Sequence, residues 1–354
     1  MDHQLAASSR SPHEITIPYD ALLIVSFGGP ENREDVLPFL ENVVRGRNVS
    51  RERMLEAAGH YYHFGGRSPI NEQNRALLAA IESQLAAKGP RLPVYWGNRN
   101  WHPFLAGTLR RMQADGVRRA LALVTSAFGS YSGCRQYLDD IARAQAEAGA
   151  SAIQIDKLRG FYNHPGFVQA VTSGAAAALA QIPSGRRSGA HLIFTAHSIP
   201  ISMARTSPYV EQLEEACGFV ADALHHQPWR LVYQSRSGAP GQPWLEPDIR
   251  DALRQLRKDS GPGDVVIVPI GFLSDHMEVL YDLDTEARAV ASELGLNMVR
   301  AATAGTHPSF VAMIRELIEE RINGGERRAL GTRGPCVDEC PQDCCPVPAR
   351  PIAR

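Results

Sequence analysis

This chain has no unbroken apolar run approaching the roughly 20 residues that a membrane-spanning helix needs, so no such span is expected. It does not lean to one charge either. Its 37 Lys and Arg balance 38 Asp and Glu, and the basic residues are scattered, so no global field favours nucleic acid. The opening MDHQLAASSRSPHEITIP lacks the apolar centre of a secretory signal, and residues 1–18 are expected to form a flexible extension. A soluble, cytoplasmic protein is the resulting expectation. There is no P-loop and no GxGxxG fingerprint, which counts against a nucleotide-binding enzyme. A CxxC…CxxC pair of the kind that holds zinc is absent too. Cysteine is scarce in the body, where only Cys134 and Cys217 occur. Cys336, Cys340, Cys344 and Cys345 crowd the end of the chain, and in a cytoplasmic protein that crowding suggests metal ligation more than disulfides.

The 354 residues allow about two domains, each able to bury a core. Short β-rich runs are read at 21–27, 93–97, 119–126, 152–156, 191–196, 231–235, 264–270 and 297–302. Amphipathic helical stretches fall between them at 71–87, 102–115, 133–148, 166–181, 210–225 and 248–258. Strands alternating with helices mean parallel sheets covered on both faces. The eight strands divide four and four. We read a first α/β domain over 19–160, a second over 161–305, and a last helix over 306–323. The remainder, 324–354, is rich in Gly, Pro and Arg and cannot bury enough apolar surface to order itself, so only its cysteines are expected to tie it down.

The stretch 264–287, DVVIVPIGFLSDHMEVLYDLDTEA, carries the most information. An apolar β-branched run stops at a Gly, and an acid-bearing helix is expected from Ser274 or Asp275. Glu278, Asp282 and Glu286 follow at i, i+4 and i+8, so they share one helical face. A row of like charges costs a helix a few tenths of a kcal/mol per pair, a cost that a passing cation would offset. The structural alternative is a capping box of Asp275 and Glu278 with a solvated acidic face.

In open α/β sheets ligands bind beyond the carboxyl ends of strands. That rule brings His197, at the end of one strand, towards the Glu278 helix at the end of another. A neutral imidazole there could accept a proton or ligate a borderline metal, whereas alone it would more often be a hydrogen-bonded loop histidine. The loop FGGRSP (64–69) enters a helix, and its backbone N–H groups could bind an anion, although its motif is weak. Arg45 and Arg47 could clamp carboxylates, or be mere surface charge. Trp244, in a Pro/Gly-rich loop, suits covering a flat ligand or ordinary packing. Three tail cysteines plus one from the body could hold an iron–sulfur cluster.

Taken together, these residues resemble the ferrochelatases, which insert Fe2+ into a porphyrin in haem synthesis. The likeness runs in order through LIVSFGGP (23–30), GGRSP (65–69), GNRNWHP (97–103), YSGC (131–134), HSIP (197–200), YQSR (233–236), PWL (243–245) and the segment 268–286. HSIP followed by SDHMEVLYDLDTE is the specific part. The resemblance implies two Rossmann-like domains, each with a four-stranded parallel sheet flanked by helices, a porphyrin cleft between them, and a last helix packing back on the first domain. It implies that His197 and Glu278 are the catalytic pair flanking the site of Fe2+ insertion, and that Asp282 and Glu286 relay metal or protons. Arg45, Ser68 and Tyr131 then correspond to porphyrin-propionate positions, and Trp244 to one lining the cleft. Phe27 departs from the Tyr or Met found there in other members and cannot ligate iron.

The tail resembles the actinobacterial subset that binds a two-iron two-sulfur cluster. That resemblance implies Cys134, Cys340, Cys344 and Cys345 as ligands, Cys336 as a spare or substitute, and Cys217 as a buried hydrophobe. The actinobacterial likeness points to coproporphyrin III as substrate, with protoporphyrin IX as the alternative. A cobalt or nickel chelatase, a non-catalytic tetrapyrrole carrier and an iron–sulfur electron-transfer protein are the rivals. The expected partners are porphyrin and Fe2+, for a monomer in transient contact with neighbouring haem-pathway enzymes.

Overall fold

The run ALLIVS at residues 21–26 is fully buried, as a strand covered on both faces must be. It is β1 (Ala21–Ser26) in a computed structural model that describes residues 18–46, 49–237, 241–261, 263–341 and 343–347. The expected extension before residue 18, and Arg47, lie outside the described residues. The first sheet continues with β2 (Val94–Asn98), β3 (Arg119–Val124) and β4 (Gln154–Lys157), in the order β2-β1-β3-β4. The second contains β5 (His191–His197), β6 (Trp229–Gln234), β7 (Asp264–Val268) and β8 (Asn297–Arg300), in the order β6-β5-β7-β8. Every pairing is parallel, and the two halves repeat one topology. Two chelatase-like, Rossmann-type sheets of four strands are therefore present, as the strand and helix patterns and the family likeness implied.

The largest apolar cluster joins the halves. It runs from Leu22 and Ile24 of β1, through Phe161, Phe167 and Phe310, to Leu192 and Phe194 of β5. The helix Pro308–Asn323 buries Phe310, Met313, Ile314, Leu317 and Ile318 in it, packing on Ile70–Lys88 of the first half and Pro165–Ala180 of the second. Arg159 and Glu320 are almost wholly buried and pair through Nε and Nη2 at 2.7 Å each, so the connector between the halves is bound to this helix.

Two helices of eight residues or more have no counterpart in the sequence reading, Val36–Val43 and Arg51–His63. They form a small cluster of their own around Phe39, Leu40 and Ala58. Arg51–His63 is short of apolar residues, so its periodicity is weak. Ser50 still caps it, accepting from the Arg53 N–H.

The tail requires a correction. Its composition does not leave it to its cysteines, because polar groups of the body satisfy its backbone. Asn163, buried, takes the Leu330 N–H on its carbonyl and donates through Nδ2 to the carbonyls of Leu330 and Gly334. Arg159 donates to the Arg328 carbonyl at 2.9 Å. Asp338 pairs with Arg321 and Arg327, and Arg333 reaches Glu211 and Glu215. Apolar burial was the wrong criterion for a segment held by hydrogen bonds and ion pairs.

Candidate active site

His197 is the last residue of β5, and Gln234, its register partner, the last of β6. The loop after β7 passes close to β5 because residue 271 is Gly: a Cβ there would come within 2.7 Å of Ala196 Cα. That passage carries the chain back to the acid-bearing segment. The His197 Nδ1–H donates to the Ser198 carbonyl at 2.5 Å, which leaves Nε2 turned to Glu278 Oε2 at 3.6 Å. The side chains are 33% and 46% exposed, so both can be reached from solvent although protein surrounds them.

Their electrostatics are reciprocal. Burial works against the imidazolium, but the Glu278 carboxylate, helped by the Ser198 carbonyl and Asp282, raises the His197 pKa above its ordinary value. Burial likewise opposes ionisation of Glu278, yet the facing His197 wins and holds this carboxyl well below the usual range.

The capping box of Asp275 and Glu278 that stood as the structural alternative is not formed. His276 is the N-cap, its Nδ1 accepting the Glu278 N–H at 3.2 Å, while Asp275 pairs with Arg300 at 3.1 Å. With Nδ1 an acceptor and burial lowering its pKa, His276 is neutral, so its 4.0 Å approach to Glu278 is no ion pair. The helix also differs in kind. After one short α turn, Met277–Val279, residues Leu280–Ala287 are π-helical. Glu278, Asp282 and Glu286 therefore follow a wider spiral than the i, i+4, i+8 rule assumes.

Each acid has its own partner. Asp282 accepts from the Ser235 hydroxyl and, at 3.4 Å, from Gln234 Nε2. Burial, followed by its neighbouring acids Glu278 and Glu286, pushes its pKa up to about 7 against the Ser235 hydrogen bond. Glu286 pairs with Arg250 at 3.1 Å, and Asp248 holds the same arginine at 2.9 Å. The facing wall comes from the first half: His60 of Arg51–His63 stacks on Tyr281 with ring centroids 3.7 Å apart and planes 10° from parallel. His60, Tyr281, Ser235, Gln234 and Arg250 were not anticipated. The YQSR motif contains Gln234 and Ser235 and SDHMEVLYDLDTE contains Tyr281, without a role for any of them; no motif pointed to His60 or Arg250.

Trp244 sits beside the His197 loop. It forms a backbone bridge with Pro200, the Leu245 N–H donates to the Ile199 carbonyl at 3.0 Å, and Ser198 Oγ donates to the Leu245 carbonyl at 2.8 Å. Tyr131 opens a π-helical turn, Tyr131–Arg135, beyond the end of β3. Ser68 is 3% exposed beneath Gly29. Arg45 is exposed, its guanidinium donating to Asn42. Phe27 is partly exposed, edge-on to Phe39. The glycine-rich loop at 64–69 is no anion cradle, because the N–H groups of Gly65, Gly66 and Ser68 already donate to the carbonyls of Tyr62, Tyr61 and Pro30.

The cysteines form a separate group. Cys134, in the turn that Tyr131 opens, contacts Cys340; Cys340 contacts Cys344, whose sulfur lies 3.7 Å from that of Cys345. The hydrogen bond to Cys340, then burial, raises the Cys134 pKa, and the same contact makes Cys340 more acidic. Cys345 is buried at a left-handed φ of 53°, a strained setting for a residue with a Cβ. Cys336 lies against Gly160, and Cys217 is fully buried. Among the described residues no three His, Cys, Asp or Glu side chains converge to hold a single metal ion, and no helix is long and apolar enough to cross a membrane.

The sequence profile of the ferrochelatases, described as "Ferrochelatase", matches residues 19–322. A ferrochelatase of Rhodopirellula baltica is 55% identical over 336 residues, covering 94% of this chain and 95% of its own length. A coproporphyrin III ferrochelatase of Streptomyces griseus is 53% identical over 355 residues, 94% of either chain. Among solved structures, SirB from Bacillus subtilis with Fe3+ superposes with a TM-score of 0.53 over 85% of this chain and 96% of its own, at 12% identity, a likeness of fold alone. With the match running from β1 to the last helix, and more than half of the aligned positions shared with named ferrochelatases, this chain belongs to the ferrochelatase family, enzymes that insert a metal into a porphyrin.

Proposed function

We propose that this enzyme inserts Fe2+ into coproporphyrin III, with His197 and Glu278 at the point of insertion. The observation that carries the reading is His197, its Nδ1–H bonded to the Ser198 carbonyl and its Nε2 facing Glu278 at 3.6 Å. Insertion releases two pyrrole protons, which leave one at a time through His197, its basicity raised by the carboxylate beside it and each proton handed on to solvent before the next is taken. Glu278, held ionised, supplies the negative charge that draws Fe2+ in and offsets the imidazolium. Asp282, with a pKa near 7, can take up and release a proton at working pH, which suits it to pass protons outward towards Glu286. Trp244 and Tyr131 are assigned to the porphyrin on the family likeness, as are Arg45 and Ser68, whose surroundings add no support.

The choice of coproporphyrin III follows the name of the Streptomyces griseus relative. Anaerobic insertion assays with coproporphyrin III and protoporphyrin IX at equal concentration test it. Faster turnover of coproporphyrin III supports the proposal, and faster turnover of protoporphyrin IX reverses it.

The donor set of Cys134, Cys340, Cys344 and Cys345 fits a two-iron two-sulfur cluster, being four thiols in successive contact rather than a cage for one ion. Such a cluster would supply iron–thiolate bonds between the first half and the tail. Iron and acid-labile sulfide measured in the purified protein test that assignment. A cytoplasmic location, and the action of the enzyme as a monomer, belong to the same proposal.

A further inference from the structure

We propose that Gln234 and Ser235 are positioning residues for metal insertion, fixing the start of the π-helix and the carboxyl of Asp282 relative to His197. The inference rests on the reading of His197 and Glu278 given above and extends it to two residues that reading leaves without a role.

Gln234 ends β6 directly beside His197, and its own carbonyl accepts the Ser198 N–H at 2.8 Å. The backbone next to the imidazole is thereby locked to Gln234. The Gln234 side chain is 1% exposed and turns the other way, its Nε2 donating to the Glu278 carbonyl at 3.0 Å and reaching Asp282 Oδ2 at 3.4 Å. Two acceptors on one nitrogen fix the orientation of the amide, since a flipped oxygen would face both. Its Oε1 is buried without a protein partner, a cost accepted for that orientation.

The contact also falls where the helix changes register, between Met277–Val279 and Leu280–Ala287. A side chain inserted beside the hydrogen-bond ladder is a known origin of such a change. One buried amide thus joins the strand end bearing His197 to the backbone of Glu278 and the head of Asp282.

Ser235 completes the arrangement. Its hydroxyl donates to Asp282 Oδ2, the oxygen that Gln234 also approaches. Its φ is +62°, a left-handed conformation that favours glycine. Backbone strain of this kind persists where the surroundings over-determine a residue, often at a functional site. If stability alone mattered here, Gly would serve better than Ser.

That contrast supplies the test. Ser235→Gly removes the hydroxyl and relieves the left-handed backbone, while Ser235→Asn tolerates the same φ and restores a donor. Thermal unfolding, porphyrin binding by fluorescence quenching, and anaerobic kcat and KM are measured on both and on the parent. The proposal expects Ser235→Gly to unfold no earlier than the parent, to bind porphyrin with unchanged KM, and to lose about tenfold in kcat, as outer partners of reacting groups do. It expects Ser235→Asn to regain most of that loss. Parental kcat in Ser235→Gly would overturn it, as would equal losses in both variants. His197→Ala, run alongside, separates the two claims: full turnover in that variant would sink the reading of His197 and Glu278, whatever Ser235 does.

Discussion

His60 of the first half and Tyr281 of the second lie ring upon ring, 3.7 Å apart and 10° from parallel, with His60 within reach of the Glu286 and Glu278 charges. The stack joins the two halves beside the candidate site, distant in sequence from the buried Arg159–Glu320 pair on the connector.

An aromatic pair of this kind contributes about 0.5–1.5 kcal/mol beyond its buried area. A double-mutant cycle of His60→Ala and Tyr281→Leu, read by urea unfolding, should return a coupling energy in that range. The single variants should also raise the porphyrin KM more than they lower kcat, because they alter the walls and spare His197 and Glu278.

Breaking the buried pair on the connector should cost far more. Arg159→Ala leaves the Glu320 carboxylate without its partner in the shared core and frees the Arg328 carbonyl of the tail. A loss of about 3–5 kcal/mol in urea unfolding is expected, together with faster proteolysis beyond residue 324.

Asp282 gives a pH signature. Unfolded, its carboxyl titrates near 3.8; folded, near 7. Below the first value both states are protonated and the raised pKa stabilises the fold in full. As pH rises towards 7 the unfolded state loses its proton while the folded state keeps it, so this contribution falls away, and above 7 it is gone. Asp282→Asn should flatten the fall of the urea midpoint across that window. The variant should also lose turnover, since an amide cannot pass a proton on.

The eight strands were legible because sheets buried on both faces are written as continuous apolar runs, such as ALLIVS and DVVIV. His197 and the Glu278 row were legible because strand ends and charge spacing are local properties. The partners of the acids were not. Ser235, Arg250 and His60 reach Asp282, Glu286 and Tyr281 from remote segments, and no periodicity encodes such contacts. The π-helix was hidden for a related reason, since its register is set by what packs beside it, Gln234 included. The tail misled because its ordering rests on carbonyls and arginines, which hydropathy does not weigh.

The cysteine group and the cleft should separate cleanly. Cys340→Ser is expected to abolish the visible absorption and the acid-labile sulfide of a two-iron cluster. The tail should remain docked, because Asn163 and Arg333 hold it independently of sulfur. Limited proteolysis checks this second point.

The central claim is that His197, facing Glu278, accepts a pyrrole proton as Fe2+ enters. Anaerobic turnover of His197→Ala, measured with Fe2+ and coproporphyrin III after fluorescence quenching has confirmed that porphyrin still binds, tests it most directly. A loss of about a hundredfold or more in kcat with binding intact is the predicted result; near-parental turnover by a porphyrin-loaded His197→Ala enzyme would contradict it.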